Sequence, residues 1–212
     1  MLELAQFSQS ENNDIYELIA NALSDRGYLI LPKAFGTELM HAILRHVKNL
    51  GSAKFDRAGV GRNTDFHLNQ FIRTDEICWL DRRDLLLSEY FAWVEALRLY
   101  LNQTLFLGLF DYECHLAHYP ANAFYKKHLD AFRGQSNRVV TTILYLNPNW
   151  SNHDGGELII YDQSGQDAIE IVQPTFGKLV IFLSEEFPHE VATARADRYS
   201  LTGWFRANKL SV

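Results

Sequence analysis

Apolar residues change their spacing part-way along the chain. From Asn12 to Leu23, Ile15, Leu18, Ile19 and Ala22 recur every three or four positions, which predicts an amphipathic helix that Gly27 stops. A short strand, Tyr28 to Leu31, ends at Pro32. Thr37 is placed to cap a second helix, with Leu39, Met40, Ile43, Leu44 and Val47 on one face and Gly51 at its end. Leu86, Tyr90, Trp93, Val94, Leu97 and Leu101 mark a third, longer helix. Between the second and third helices, Ser52 to Asp75 is polar, carries Arg57, Arg62 and Arg73, and has no sustained period. So long a loop inside a compact domain is expected to be a lid or substrate loop.

The second half has a period of two. The runs Tyr112 to His118, Val139 to Leu146, Glu157 to Tyr161, Ile169 to Val172, Lys178 to Leu183 and Tyr199 to Phe205 are rich in β-formers. Turn signals such as Asn147-Pro148-Asn149, Asp154-Gly155-Gly156 and Ser164-Gly165 separate them. Short strands at this spacing argue for a sandwich or jelly roll over alternating βαβ units. The expected fold is α+β: a jelly roll, or double-stranded β-helix, with N-terminal supporting helices.

Length and composition narrow the functional classes. The 212 residues suit one domain, about 1–105 as helical support and substrate loop and about 106–212 as the jelly-roll core. Hydrophobic residues at 47% and charged residues at 22% are ordinary globular usage, which excludes disordered and fibrous classes. With 20 Lys and Arg against 26 Asp and Glu, the net charge of −6 gives no field for a polyanion, so no nucleic-acid partner is expected. No apolar run approaches a membrane span and Met1 to Ser10 lacks a signal-peptide pattern, so neither membrane association nor secretion is expected. Two cysteines, Cys78 and Cys114, exclude a disulfide framework and point to a reducing cytoplasm.

Three motif fragments fail. Gly59-Val60-Gly61 lacks the third glycine of a dinucleotide fingerprint, Gly177-Lys178 lacks the rest of a phosphate loop, and His189-Glu190 has Thr193 where a zinc helix needs its second His. The informative segment is Tyr125-Lys126-Lys127-His128-Leu129-Asp130. If extended, it sends His128 and Asp130 off one face toward one ion. His189 follows an apolar strand far enough along for jelly-roll strands to return beside the first, and two imidazoles with one carboxylate match the facial triad of non-heme Fe(II). Arg198, Ser200 and Thr202 share a face of the last strand, and a buried Arg there needs an anion. That anion is either an internal Asp or Glu, or a dicarboxylate cosubstrate that also chelates the metal. His41, His46, His67, His115, His118 and His153 have no second ligand at useful spacing and are expected to be structural.

These residues resemble the 2-oxoglutarate-dependent oxygenases, and in particular the prolyl 4-hydroxylase domain enzymes related to animal hypoxia-sensing hydroxylases. The similarity runs from about Gly27 to Phe205. It is carried by Ile72 to Trp79, Tyr119-Pro120-x-Asn122, His128-x-Asp130, Thr141 to Asn147, Gly155 to Leu158, Phe187 to Val191 and Arg198, in family order. The resemblance implies His128, Asp130 and His189 as Fe(II) ligands, and Arg198 with Tyr145 as binders of the distal carboxylate of 2-oxoglutarate. Thr202 and Tyr119 would line that pocket, and Arg138, Arg73, Asp75 and Trp79 would lie toward a protein substrate. It implies O2 as second cosubstrate, succinate and CO2 as products, ascorbate as reductant, and hydroxylation of a prolyl residue of an intracellular protein. The compact chain looks like a bacterial-type stand-alone member, for which a translation factor such as elongation factor Tu is the expected partner. Two alternatives stay open: the same chemistry on a small molecule or nucleic-acid base, and a non-catalytic jelly-roll binding module. The connection from Tyr119 to His128 is one residue shorter and poorer in glycine than in the family, which leaves the reach of Tyr119 for the structure to decide.

Overall fold

The computed structural model describes residues 9–51, 54–59, 71–131 and 137–208. Helix α1 (Gln9–Asp25) buries Tyr16, Ile19, Ala20 and Leu23 at the three- and four-residue spacing of one face. It ends at Gly27, whose φ of +81° turns the chain into β1 (Tyr28–Leu31) hard against the Phe187 ring. Helix α2 (Thr37–Leu50) buries Met40, Ile43, Leu44 and Val47 and ends at Gly51 with φ +68°. Its N-cap is Gly36, with no side-chain cap, and Thr37 is already inside the helix, which corrects the expected cap. Helix α3 (Ser88–Leu105) is preceded by a 3₁₀ turn, Leu85–Leu87, in which Asp84 accepts from the Leu86 amide at 3.0 Å. That turn rotates Leu86 to 66% exposure and puts Leu87 in the core instead.

The strands form two antiparallel sheets. The larger has the order β1-β9-β6-β11-β4-β3-β2 and the smaller β5-β10-β7-β8. The strands are β2 (Asp56–Arg57), β3 (Glu76–Trp79), β4 (Leu109–Tyr119), β5 (Tyr125–His128), β6 (Arg138–Tyr145), β7 (Leu158–Tyr161), β8 (Ala168–Val172), β9 (Leu179–Leu183), β10 (His189–Val191) and β11 (Arg198–Ala207). Alternation sends Tyr112, Cys114, Leu116, Val140, Leu144, Leu201 and Phe205 to the helices. It sends Ala117, Tyr119, Ile143, Tyr145, Val180 and Phe182 to the smaller sheet, against Leu158, Ile160, Val172 and Val191. This is the jelly roll with helical support that the pattern predicts.

A buried hydroxyl chain ties the helical layer to the sheet: Tyr90 to Tyr112 at 2.8 Å and Tyr112 to Thr142 at 2.8 Å. Tyr112 occupies the space a side chain at Gly203 would need. Of the expected lid, residues 52–53 and 60–70 lie outside the described residues, as does His67. The described flanks are ordered by β2 pairing with β3 and by Arg73 bonded to Asp75. Among the described residues, no helix is long and apolar enough to cross a membrane.

Candidate active site

Strand β5 ends where β10 begins, so His128 and His189 stand opposite each other in register. Asp130 follows in the bend after β5. Its carboxylate oxygens lie 3.6 Å from His128 Nε2 and 3.7 Å from His189 Nε2, and one donor atom from each residue falls within 4.8 Å of the others. Each imidazole has its Nδ1 beside the carbonyl oxygen two residues earlier, Lys126 at 2.8 Å for His128 and Phe187 at 3.0 Å for His189. A carbonyl only accepts, so Nδ1 carries the proton and the Nε2 lone pair faces the cluster. Burial, with His128 alongside, pushes His189 down to about 4 and keeps it neutral. Burial would raise Asp130, but His189, His128 and Arg138 outweigh it and hold the carboxyl below its usual range. Two imidazoles, each with its Nδ1 turned to a carbonyl, and one carboxylate are the donor set of a divalent transition metal with open positions.

Arg198 opens β11 with 1% exposure. Its Nε donates to the Gly156 carbonyl at 2.9 Å, and its guanidinium lies 4.7 Å from the Tyr119 ring and 5.0 Å from the Tyr145 ring. Among the described residues, no carboxylate is within ion-pair reach of it, so the internal-pair alternative has no partner here. Gly156, at φ +65°, leaves room for the arginine: a Cβ there would come within 2.9 Å of Arg198 Cδ. The Tyr145 hydroxyl, fully buried near the guanidinium, meets no partner at full hydrogen-bond geometry among the described residues, and burial pushes it up to about 12 although Arg198 beside it pulls the other way. Ser200 and Thr202 continue this face, their hydroxyls 3.4 Å apart. Tyr119 pairs in register with Arg198 and lies beside its guanidinium. A buried cation and an unmet phenol hydroxyl on one wall fit a carboxylate, which accepts from both.

Residues 114–206 match the model of the 2OG-Fe(II) oxygenase superfamily. The chain is 30% identical over 207 residues to prolyl hydroxylase EGLN3 of Homo sapiens, covering 89% of this chain and 82% of that protein. It belongs to the prolyl hydroxylases of the 2OG-Fe(II) oxygenase superfamily. A crystal structure of a Pseudomonas putida prolyl-4-hydroxylase superposes with a TM-score of 0.82 at 37% identity, over 92% of this chain and 100% of that one. A Trichoplax adhaerens prolyl hydroxylase, in complex with a hypoxia inducible factor oxygen degradation domain peptide fragment, superposes with a TM-score of 0.86 at 28% identity, over 98% of each chain. As a prolyl hydroxylase of this superfamily, the protein catalyses Fe(II)- and 2-oxoglutarate-dependent hydroxylation of a prolyl residue in a protein substrate.

The residues expected toward the hydroxylase's substrate fall in two groups. Arg138 lies 3.4 Å over the Trp204 ring and binds Glu113 at 2.9 Å, and Trp79, 54% exposed, stands edge-on to His115 at 5.1 Å. These line the end of the larger sheet beyond the metal cluster. Arg73 and Asp75 instead form a buried two-bond pair, Nε to Oδ1 at 2.8 Å and Nη2 to Oδ2 at 2.5 Å. Several contributors are not evident in the sequence. Thr141 donates to Asp130 at 2.8 Å and also contacts Ser184 at 2.9 Å. Tyr125 stacks on His128, with ring centroids 3.6 Å apart and planes at 14°. Among the described residues, His115 Nδ1 and Trp204 Nε1 are buried without hydrogen-bond partners. The signal for Thr141 was its place on the Ile143 and Tyr145 face of β6; the rest depend on strand pairing.

Proposed function

We propose that His128, Asp130 and His189 hold the Fe(II), and that Arg198 and Tyr145 bind the distal carboxylate of 2-oxoglutarate in a pocket lined by Thr202 and Tyr119. On this reading residues 1–212 act as one oxygenase domain in the cytoplasm. The candidate substrate is a translation factor such as elongation factor Tu, with ascorbate as external reductant. The observation that carries the site assignment is the meeting of three donor atoms within 4.8 Å with a buried guanidinium that has no described carboxylate partner. Likeness to the Pseudomonas putida prolyl-4-hydroxylase supports a bacterial type of substrate.

When bound, Fe(II) with 2-oxoglutarate and O2 supplies oxidative decarboxylation to succinate and CO2 and the oxidant for an unactivated C–H bond. The chain's own residues orient and insulate. Lys126 and Phe187 carbonyls hold the imidazole tautomers, Thr141 steadies Asp130, and the Arg198 fork offers a carboxylate two parallel hydrogen bonds. Phe182, edge-on to His189 at 4.9 Å, and Val191 keep bulk water from that ligand. Trp79, Arg138 and Trp204 face the arriving polypeptide. No protein side chain has to act as a general base.

Anaerobic titration of the protein with Fe(II) and 2-oxoglutarate tests the site through the visible charge-transfer band of the chelate. The band is expected in wild type, absent in His128→Ala, and displaced to much higher cosubstrate concentration in Arg198→Ala. Its absence from metal-replete wild type would overturn the assignment. The substrate is tested separately, by incubation with elongation factor Tu and a search for one added oxygen on a prolyl peptide; an unmodified factor under conditions of active succinate release would reject that candidate.

A further inference from the structure

We infer that Arg73, Asp75 and Tyr125 form a positioning relay that sets the plane of the His128 ring. The inference rests on reading His128 as a metal ligand. Residues 72–75 run antiparallel to residues 124–126: Lys126 N–H donates to Ile72 at 2.9 Å, Thr74 N–H to Phe124 at 3.1 Å, and Phe124 N–H to Thr74 Oγ1 at 3.1 Å. This backbone zip sets the Arg73 side chain beside Tyr125.

The guanidinium is fixed by two bonds to Asp75 and a third, from Nη1, to the Gly59 carbonyl at 3.2 Å. The Asp75 side chain is fully buried and that of Arg73 only 11% exposed, so the fork has little freedom to turn. Its carbon lies 4.2 Å over the Tyr125 ring, whose centroid is 3.6 Å from that of His128. Two planar groups so close to one ring cannot share a face, so tyrosine is clasped between cation and imidazole.

The two histidines differ in what else holds them. His189 is 3% exposed and wedged by Phe182. The His128 side chain is 16% exposed, and its Nδ1 bond to Lys126 leaves the ring free to tilt about that bond. The stack removes the tilt. Tyr125 is therefore a positioning residue for the more exposed ligand, and Arg73 with Asp75 positions Tyr125.

The test is anaerobic Co(II) titration, read by the d–d absorption of the bound ion, with thermal melts to establish folding. Tyr125→Phe keeps the stack and is expected to bind like wild type with an unchanged spectrum. Tyr125→Leu removes it and is expected to weaken Co(II) binding about ten-fold or more, the usual consequence of freeing a ligand from its support, with an altered spectrum. Arg73→Lys keeps the charge but loses the fork, and is expected to shift binding in the same direction; it carries the test alone if Tyr125→Leu does not fold. Wild-type affinity and spectrum in a folded Tyr125→Leu would overturn the relay and leave the ligand assignment standing. Wild-type binding in His128→Ala would remove the ligand assignment, and the relay with it.

Discussion

Thr141 gives its hydroxyl proton to Asp130 and receives one from Ser184. The separations are 2.8 and 2.9 Å, and an ionised carboxylate can only accept, so the direction of the chain is determined. Thr141 and Ser184 are both fully buried, so no water competes for this arrangement. Asp130 stands just beyond the end of a strand, and the facing sheet holds it still.

Replacing Thr141 with Val keeps the shape of the side chain and removes the donor. Fe(II) or Co(II) affinity is expected to fall about ten-fold or more. Metal-free stability should fall by about 2 kcal/mol, because a hydrogen bond to a buried charge is lost. Metal titration and denaturant melts of the same variant check the two effects; a change in stability with no change in metal affinity would make Thr141 a packing residue only.

Tyr145→Phe should separate binding from folding. Among the described residues the hydroxyl has no partner at full hydrogen-bond geometry, so its loss is expected to leave the melting temperature unchanged or raised. Affinity for 2-oxoglutarate should drop about ten-fold, one charge-assisted hydrogen bond of roughly 1.5 kcal/mol. A variant that is destabilised and binds cosubstrate normally would show that the hydroxyl serves the fold.

Gly156→Ala combines two penalties. The backbone there has φ +65°, and the new methyl would lie within 2.9 Å of Arg198 Cδ. The protein is expected to lose about 1–3 kcal/mol of stability through backbone strain. The Michaelis constant for 2-oxoglutarate should rise as Arg198 is pushed aside, with metal affinity little changed. Steady-state kinetics with cosubstrate varied, alongside Co(II) titration, tests this split.

Acid should destabilise the metal-free protein well before its carboxylates protonate. Burial pushes His189 down to about 4, and burial with Arg73 and Arg138 pushes His115 down to about 3, from 6.5. As pH falls below about 6.5 the unfolded chain takes up protons that the folded chain refuses. The stability these groups contribute is therefore complete above 6.5 and drains away as pH falls toward their folded values. Each site adds up to about 1.4 kcal/mol per pH unit to the slope. Denaturant melts at pH 7, 6 and 5 should show it, and His115→Met should remove one proton's share; an unchanged slope in that variant would mean His115 titrates normally.

Local spacing made part of this site legible. His128 and Asp130 are two apart, and Arg198, Ser200 and Thr202 alternate, so a period of two was enough to group them. Tyr119 was placed by resemblance, and strand pairing sets it beside Arg198. What the sequence hid depends on partners far along the chain. Thr141 in an apolar run looks like a core threonine until Asp130 and Ser184 are brought to it. Arg73 and Asp75 look like substrate-loop charges, yet each is the other's buried counter-ion. The 3₁₀ turn before α3 shifted the apolar face by one residue, from Leu86 to Leu87, through the cap by Asp84. Strand β10 is three residues long, too short for any period to register.

The ten residues of β11 are read on both sides. Arg198, Ser200 and Thr202 lie on one face with Trp204 further along it against Arg138, while Tyr199, Leu201 and Phe205 pack with the helical core. One residue inserted ahead of Leu201 would turn both sets over together, burying a guanidinium among leucines and emptying the wall proposed for the cosubstrate in the same step. Damage to folding and damage to chemistry would be a single event on this strand. Its length is thus closed to variation.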